Sequence, residues 1–528
     1  MKQKKGKIIP INNSKIFIQT WLRMKPYKAK VVTDSFYIEL ANKLRKTMAD
    51  DPNKLIPSHL TEEEVSLTAC VLASYLEDLV SGTNIWNTFV RLHTEFYGTR
   101  LPFCEETEFY ENEPDYEDVK FLVWYCVSTI SNDAIIDPNS YHLKKIAGDL
   151  TDIIHEAYEY APENPILKRY YAEYETEQNF FPIRFSEEYL LFNTYLFFPD
   201  TGLLAEKEAL EIYKKNNENN EAILYDTLTE HVANTHTKLL ALRANEWLAE
   251  LLGAKHPLYP DLKAQTKRVQ GLFQLKKQSE QSMYFEHIAS GMNFDVTMES
   301  FNKNSAFPNE GDLVLFGLVK WKNEWWFAGA QAILKNDRKI VESEKNSQKA
   351  LESVSFLQNM DEKAEILAKQ QTAFLELTKG AQFVKIPIKE IDPFLHKFYD
   401  FYNEKYGKGK SPDKAMTSGT KIFNTAKNRN AILTVFFNPK KGIEISQDIW
   451  YAFEPVSEKN PATEQRESAD SLVDDRTLSS ELAHFWYDNY AKQLDIKPYS
   501  TLSKQEFDFL LRYSKRNNYH SEPEIYMI

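Results

Sequence analysis

Glycine is scarce in this chain: 16 residues in 528, against 33 Phe, 29 Tyr and 9 Trp. Few permissive turns and many large rings favour long helices and aromatic-rich cores over a many-stranded β architecture. Cysteine is nearly absent. Cys70, Cys104 and Cys126 are odd in number, lie in the first quarter and show no C-x-x-C spacing. That pattern argues against a disulfide framework and against a zinc site, and each cysteine reads as a buried, reduced thiol. A positive charge excess is also missing. The net charge of -13 and pI near 5.5 give no whole-chain attraction to phosphate backbones or anionic membranes. No window reaches the length of a transmembrane span. The opening M-K-Q-K-K-G-K-I-I-P-I is basic, but its apolar stretch is too short for a signal-peptide core and Pro10 interrupts it. These absences lead to the expectation of a cytoplasmic protein with neither nucleic acid nor membrane as partner.

Catalytic signatures are missing as well. No G-x-S-x-G, G-x-G-x-x-G or H-E-x-x-H occurs. Gly409-Lys410-Ser411 copies the tail of a phosphate-binding loop, but Glu404 stands where its leading glycine belongs and Pro412 falls in the helix start. Ser411 with Lys414 and Ser418 with Lys421 fit S-x-x-K without a helical context. His231 and His236 are five apart, off the spacing at which two histidines share a helix face. His155 and Glu156 are adjacent and point apart on a helix. No catalytic residue, metal or cofactor is expected from these residues, and enzymatic activity stays open.

What is present is globular: 42% hydrophobic and 27% charged residues, enough chain for two to four domains. The chain is organised around residues 312–333, D-L-V-L-F-G-L-V-K-W-K-N-E-W-W-F-A-G-A-Q-A-I, which hold three of the nine tryptophans. Leu313–Trp321 and Trp325–Ile333 read as strands joined by Lys322, Asn323 and Glu324. Both faces are apolar, which predicts burial on both sides. Gly317 and Gly329 would admit a close backbone or ligand.

The expected architecture is α+β and predominantly helical. A helical domain with an extended lead-in spans 1–265. A small antiparallel β unit, barrel- or sandwich-like, spans 266–340. An α/β segment follows at 341–456, a polar linker at 457–475 and C-terminal helices at 476–528. Thr61 with Glu64 is a capping box, and Gly82 and Gly98 are stop signals. The strongest helical stripe runs from Thr227 to Leu252, with Thr227 and Glu230 read as a second capping box. Strands are expected at 383–387 and 431–437 with a return at 443–445, and a helix at 391–406.

Three stretches are candidates for function. Trp321, Trp325 and Trp326 could form an aromatic platform for a ligand or protein partner, although core packing is the stronger reading. Lys408, Lys410, Lys414 and Lys421 lie in the basic, glycine-containing stretch 405–429, where a phosphate or other anion could settle. Residues 105–118 hold eight carboxylates and no Lys or Arg, and read as a solvated acidic loop that could face the basic one. Absent catalytic motifs and abundant aromatics point first to a non-enzymatic binding or interaction protein. An enzyme or small-anion binder acting at 405–429 is the alternative.

W-L-R-M-K-P-Y at 21–27, F-Y-G-T-R-L-P-F at 96–103 and F-F-N-P-K-K-G-I-E-I at 436–445 resemble segments of an uncharacterised bacterial protein family. The resemblance implies a prokaryotic cytoplasmic protein and no particular reaction.

Overall fold

In the computed structural model, residues 15–104, 109–110, 112–131, 135–171, 179–215, 221–301, 307–358, 360–407 and 431–519 are described. Helix accounts for 56% and strand for 13%, so the fold is α+β and predominantly helical. The chain divides into two compact units, 1–237 with 242–341, and 238–241 with 342–528.

Unit 1 begins with α1 (Ile18–Leu22), α2 (Asp34–Ala49), α3 (Leu55–His59), α4 (Glu62–Ser81) and α5 (Ile85–Tyr97). It continues with α6 (Tyr116–Ile130), α7 (Tyr141–Tyr158), α8 (Pro165–Tyr171) and α9 (Phe180–Phe192). Then come α10 (Leu203–Lys215), α11 (Glu221–Asn234), α12 (Ala244–Leu252) and α13 (Tyr259–Ala264). The Thr61–Glu64 capping box opens α4 as expected, and α4 and α6 are buried along nearly their whole lengths. A helix apolar all round belongs at the centre of a bundle.

The expected 227–252 helix is two helices. Thr227 and Glu230 lie inside α11, and the chain leaves helical geometry before α12. Leu240 and Ala241 adopt left-handed backbone, and His236 pairs with Arg243 as a β-bridge. Leu239, Leu240 and Ala241 are fully buried, so tertiary packing overrides an unbroken apolar stripe. The 187–198 stretch is not one element: its helix ends at Phe192 and a wide turn starts at Phe198.

The sheet of unit 1 contains β1 (Val269–Gln278), β2 (Ser282–His287), β3 (Asn293–Thr297), β4 (Leu313–Trp321), β5 (Glu324–Phe327) and β6 (Ala332–Leu334). Its order is β1-β2-β3-β5-β4-β6, and β1 also pairs with β4. That last ladder closes the first five strands into a barrel with the order of an OB-type fold. The expected antiparallel unit is thus mixed, because β3 runs parallel to β5 at Val296 and Trp325. The hairpin loop has two residues, not three. Lys322 and Asn323 both have positive φ, as a tight primed turn demands, and Glu324 already pairs with Trp321. The second apolar run is two short strands, β5 and β6.

Unit 2 starts with α14 (Arg338–Glu344, shared across the boundary), α15 (Gln348–Ser353) and α16 (Met360–Leu377). An antiparallel sheet of β7 (Phe383–Pro387), β8 (Ile432–Asn438) and β9 (Gly442–Gln447) packs with α16 and α17 (Ile391–Tyr406). Phe374, Phe398, Leu433, Val435 and Phe437 form the centre of that core. The polar stretch at 457–475 is not a bare linker: Ala462–Asp474 is a helix with Gln465, Ser468, Ala469, Leu472 and Val473 buried. Its inward face is small and partly polar, so composition conceals it. The last helices are Ser480–Trp486 and Lys504–Ser514, the latter opened by a Ser503–Glu506 capping box.

Candidate functional site

The polar centre of unit 1 is built on α4. This helix meets α5 at a bend of 91°. Asp78 holds the bend. Its carboxylate accepts from the Trp86 amide at 2.7 Å, the Ile85 amide at 3.2 Å, the Tyr195 hydroxyl at 2.7 Å and the Thr83 hydroxyl. Asn84, the residue before α5, makes no side-chain cap. Asp78 therefore satisfies the orphan amides of α5 from the neighbouring helix. One turn earlier, the buried Lys25 ammonium donates to Ser74 at 3.0 Å and pairs with Glu77.

The acidic stretch contributes the next layer. Its described end is not a solvated loop, because Asp115 caps α6 and both Glu117 and Asp118 are buried. Asp118 accepts from the Tyr75 hydroxyl at 2.6 Å and the Trp86 indole at 3.0 Å, and pairs with Arg100 at 2.5 Å. Glu117 pairs with Lys120 at 2.5 Å. Buried carboxylates persist because each meets donors. Burial pushes the Asp118 carboxyl up to about 7, against the opposing pull of Arg100.

Above this floor lies a cleft of about 490 Å³, lined by α5, Phe109, Tyr110, Asn112, Glu113 and the end of α12. That volume is in the range of small-molecule sites. On one wall Arg91 pairs with Glu95 at 2.8 Å and with Glu250 at 2.9 Å. On another, the Asn87 amide donates to Asn112 at 2.9 Å. The Arg100 guanidinium lies 4.6 Å from the Phe109 ring centroid, and its buried Nε has no hydrogen-bond partner among the described residues. Phe109 and Tyr110 stand at the rim, 49% and 78% exposed.

The family described as "Protein of unknown function (DUF3843)" matches residues 15–300, more than half of the chain. The chain belongs to that family. The expectation of an uncharacterised family is met, and the cleft lies wholly within the DUF3843 span. The β4–β5 hairpin lies beyond it. No curated protein and no solved structure matched the chain.

The tryptophans of the hairpin are divided between the two faces of the sheet. Trp321 and Trp326 share a face with Val319 and are buried against Phe180 and Phe181 of α9. Trp325 pairs with Lys320 on the opposite face, 4.9 Å from Phe294 and only partly buried. Phe294 joins Phe285 and Phe316 around Phe273 in the aromatic filling of the barrel. Two-sided burial fails at Leu315 in β4 and at Ala332 in β6, which are exposed. The close neighbour at Gly317 and Gly329 is neither backbone nor ligand but the buried Arg268 guanidinium, joined at Gly329 by the Asp226 carboxylate. A Cβ on Gly317 would lie 2.0 Å from the Arg268 Nε.

Lys408, Lys410, Lys414 and Lys421 lie outside the described residues, as does half of the acidic run. Lys405, the first cation of the basic stretch, pairs with Glu376. Cys70 and Cys126 are buried and Cys104 is partly so. Among the described residues no single helix is long and apolar enough to cross a membrane, and no group of His, Cys, Asp or Glu could hold a metal ion.

The sequence reading missed Arg91, Arg100 and Glu250. Arg100 sits in the quoted F-Y-G-T-R-L-P-F string, and Asp115 and Asp118 stand three apart at a helix start. That spacing was a signal for one shared face.

Proposed function

We propose that the protein binds a small polar ligand in the cleft beside α5, as a binding protein rather than a catalyst. The observation that carries this reading is the finished floor beneath an open rim. Asp118 accepts from Tyr75 and Trp86 on one oxygen and faces Arg100 as an ion pair with the other, so the side chain is committed to structure. A site of this kind is rigid before the ligand arrives, which lowers the ordering cost of binding. The rim keeps amide groups and two exposed rings for recognition.

A fragment screen by saturation-transfer NMR on the full chain tests the reading. The comparison variant is Asn87→Trp, which fills the cleft from a partly exposed position on α5. Hits that lose their signal with Asn87→Trp support the proposal. Identical hit sets for the two proteins would overturn it.

A further inference from the structure

We infer that the ligand of this cleft is an organic cation, a guanidinium or ammonium group carried on an apolar stem. The inference rests on the binding role just proposed and adds the chemistry of its occupant.

Among the described residues the lining holds two cations, Arg91 and Arg100, and three acids, Glu113, Asp118 and Glu250. Both cations are already engaged: Arg91 by Glu95 and Glu250, Arg100 by Asp115 and Asp118. An anionic ligand would meet each guanidinium with two carboxylates already beside it and its charge already balanced. Glu113 is exposed and has no cationic partner among the described residues. Among the described residues the cleft therefore presents one carboxylate without a cationic partner and no cation without a carboxylate partner.

The exposed rings favour a cation as well. Phe109 and Tyr110 are large apolar groups left open to water beside Glu113. An aromatic face attracts a cation through its quadrupole, and a nearby carboxylate adds to that attraction. The cleft already shows this chemistry once, where Arg100 lies against Phe109. A ligand stem would cover ring area while its cationic head met Glu113 and the amides of Asn87 and Asn112. The chain's net charge of -13 adds a general attraction for cations.

The test is calorimetric titration of the full chain with three probes of similar length: agmatine as the cation, N-butylurea as the neutral analogue and adipate as the anion. Agmatine is expected to bind, and the neutral and anionic probes to bind at least tenfold more weakly. Glu113→Gln and Tyr110→Ala, both at exposed positions, are each expected to weaken agmatine by about fivefold to tenfold. Raising the salt concentration should weaken it further. Equal or tighter binding of N-butylurea or adipate, lost with Asn87→Trp, would overturn the cation assignment and leave the cleft as a binding site. Agmatine binding that both rim variants and Asn87→Trp leave unchanged would overturn the assignment and count against the cleft itself. No binding by any probe would also overturn the assignment, while the fragment screen would still decide whether the cleft binds.

Discussion

Two aromatic-rich regions of unit 1 use the same side chains in opposite ways. In the barrel, Phe273, Phe285, Phe294 and Phe316 pack ring on ring, and Trp321 and Trp326 press outward onto α9. Around α4, the rings carry polar handles that end on buried carboxylates: Tyr75 and Trp86 on Asp118, Tyr195 on Asp78, Trp21 and Tyr27 on Asp34. The first arrangement is held by area and shape and tolerates a change of residue that conserves volume. The second is held by complementarity, and one missing acceptor strands several donors at once. The difference explains why the open cleft belongs to the second region. Polar groups fixed by a network can present a defined surface, whereas the barrel consumes its rings in its own filling.

The comparison breaks most sharply at Asp78. Asp78→Ala leaves two amides and two hydroxyls without their acceptor, and is expected to cost about 4 kcal/mol or more in chemical denaturation. Asp78→Leu should be no better, because an apolar side chain restores volume but not the acceptor. Trp321→Ala is expected to cost about 3–4 kcal/mol through the cavity it opens, and Trp321→Leu clearly less. If Asp78→Leu were as mild as Trp321→Leu, the contrast between the two regions would be wrong.

A smaller effect is expected at Gly317. Gly317→Ala drives a methyl group into Arg268, which is held by the Ala328 carbonyl and Asp226, and should cost about 2 kcal/mol. A neutral result would mean that the guanidinium moves aside freely.

The last effect depends on pH. The folded Asp118 carboxyl titrates near 7, above the value of about 3.9 for an unfolded aspartate. Its contribution to stability is fully present below about pH 4 and is lost as pH rises through about 7. Asp118→Asn has no such proton to lose. The stability of the wild type relative to Asp118→Asn should therefore fall between pH 4 and 7. Parallel curves for the two proteins over that range would contradict the raised titration.

Much of the fold is legible where the signal is local. The Thr61–Glu64 box, the stops at Gly82 and Gly98, the 391–406 helix and the strands at 383–387 and 432–438 depend on neighbours within a few residues. Elements decided by distant partners are less legible. The break between α11 and α12 contains neither glycine nor proline and follows the burial of Leu239–Ala241. The helix at 462–474 hides behind Ser468 and Ala469. Asp118 looks like part of an acidic loop until Arg100 and Tyr75 are brought to it. The cleft is the extreme case, since Arg91 and Glu250 lie 159 residues apart. The barrel's strand order also carries no function by itself, because function resides in the site and not in the fold.

The most direct measurement is fluorine NMR of the full chain labelled with 5-fluorotryptophan, followed during titration with agmatine. Trp86 lines the cleft, while Trp321 and Trp326 are packed against α9. The account predicts that the Trp86 resonance, assigned with Trp86→Phe, shifts to saturation while those of Trp321 and Trp326 hold still. A saturating shift at Trp321 or Trp326 with Trp86 unmoved would place recognition at the hairpin and contradict the account.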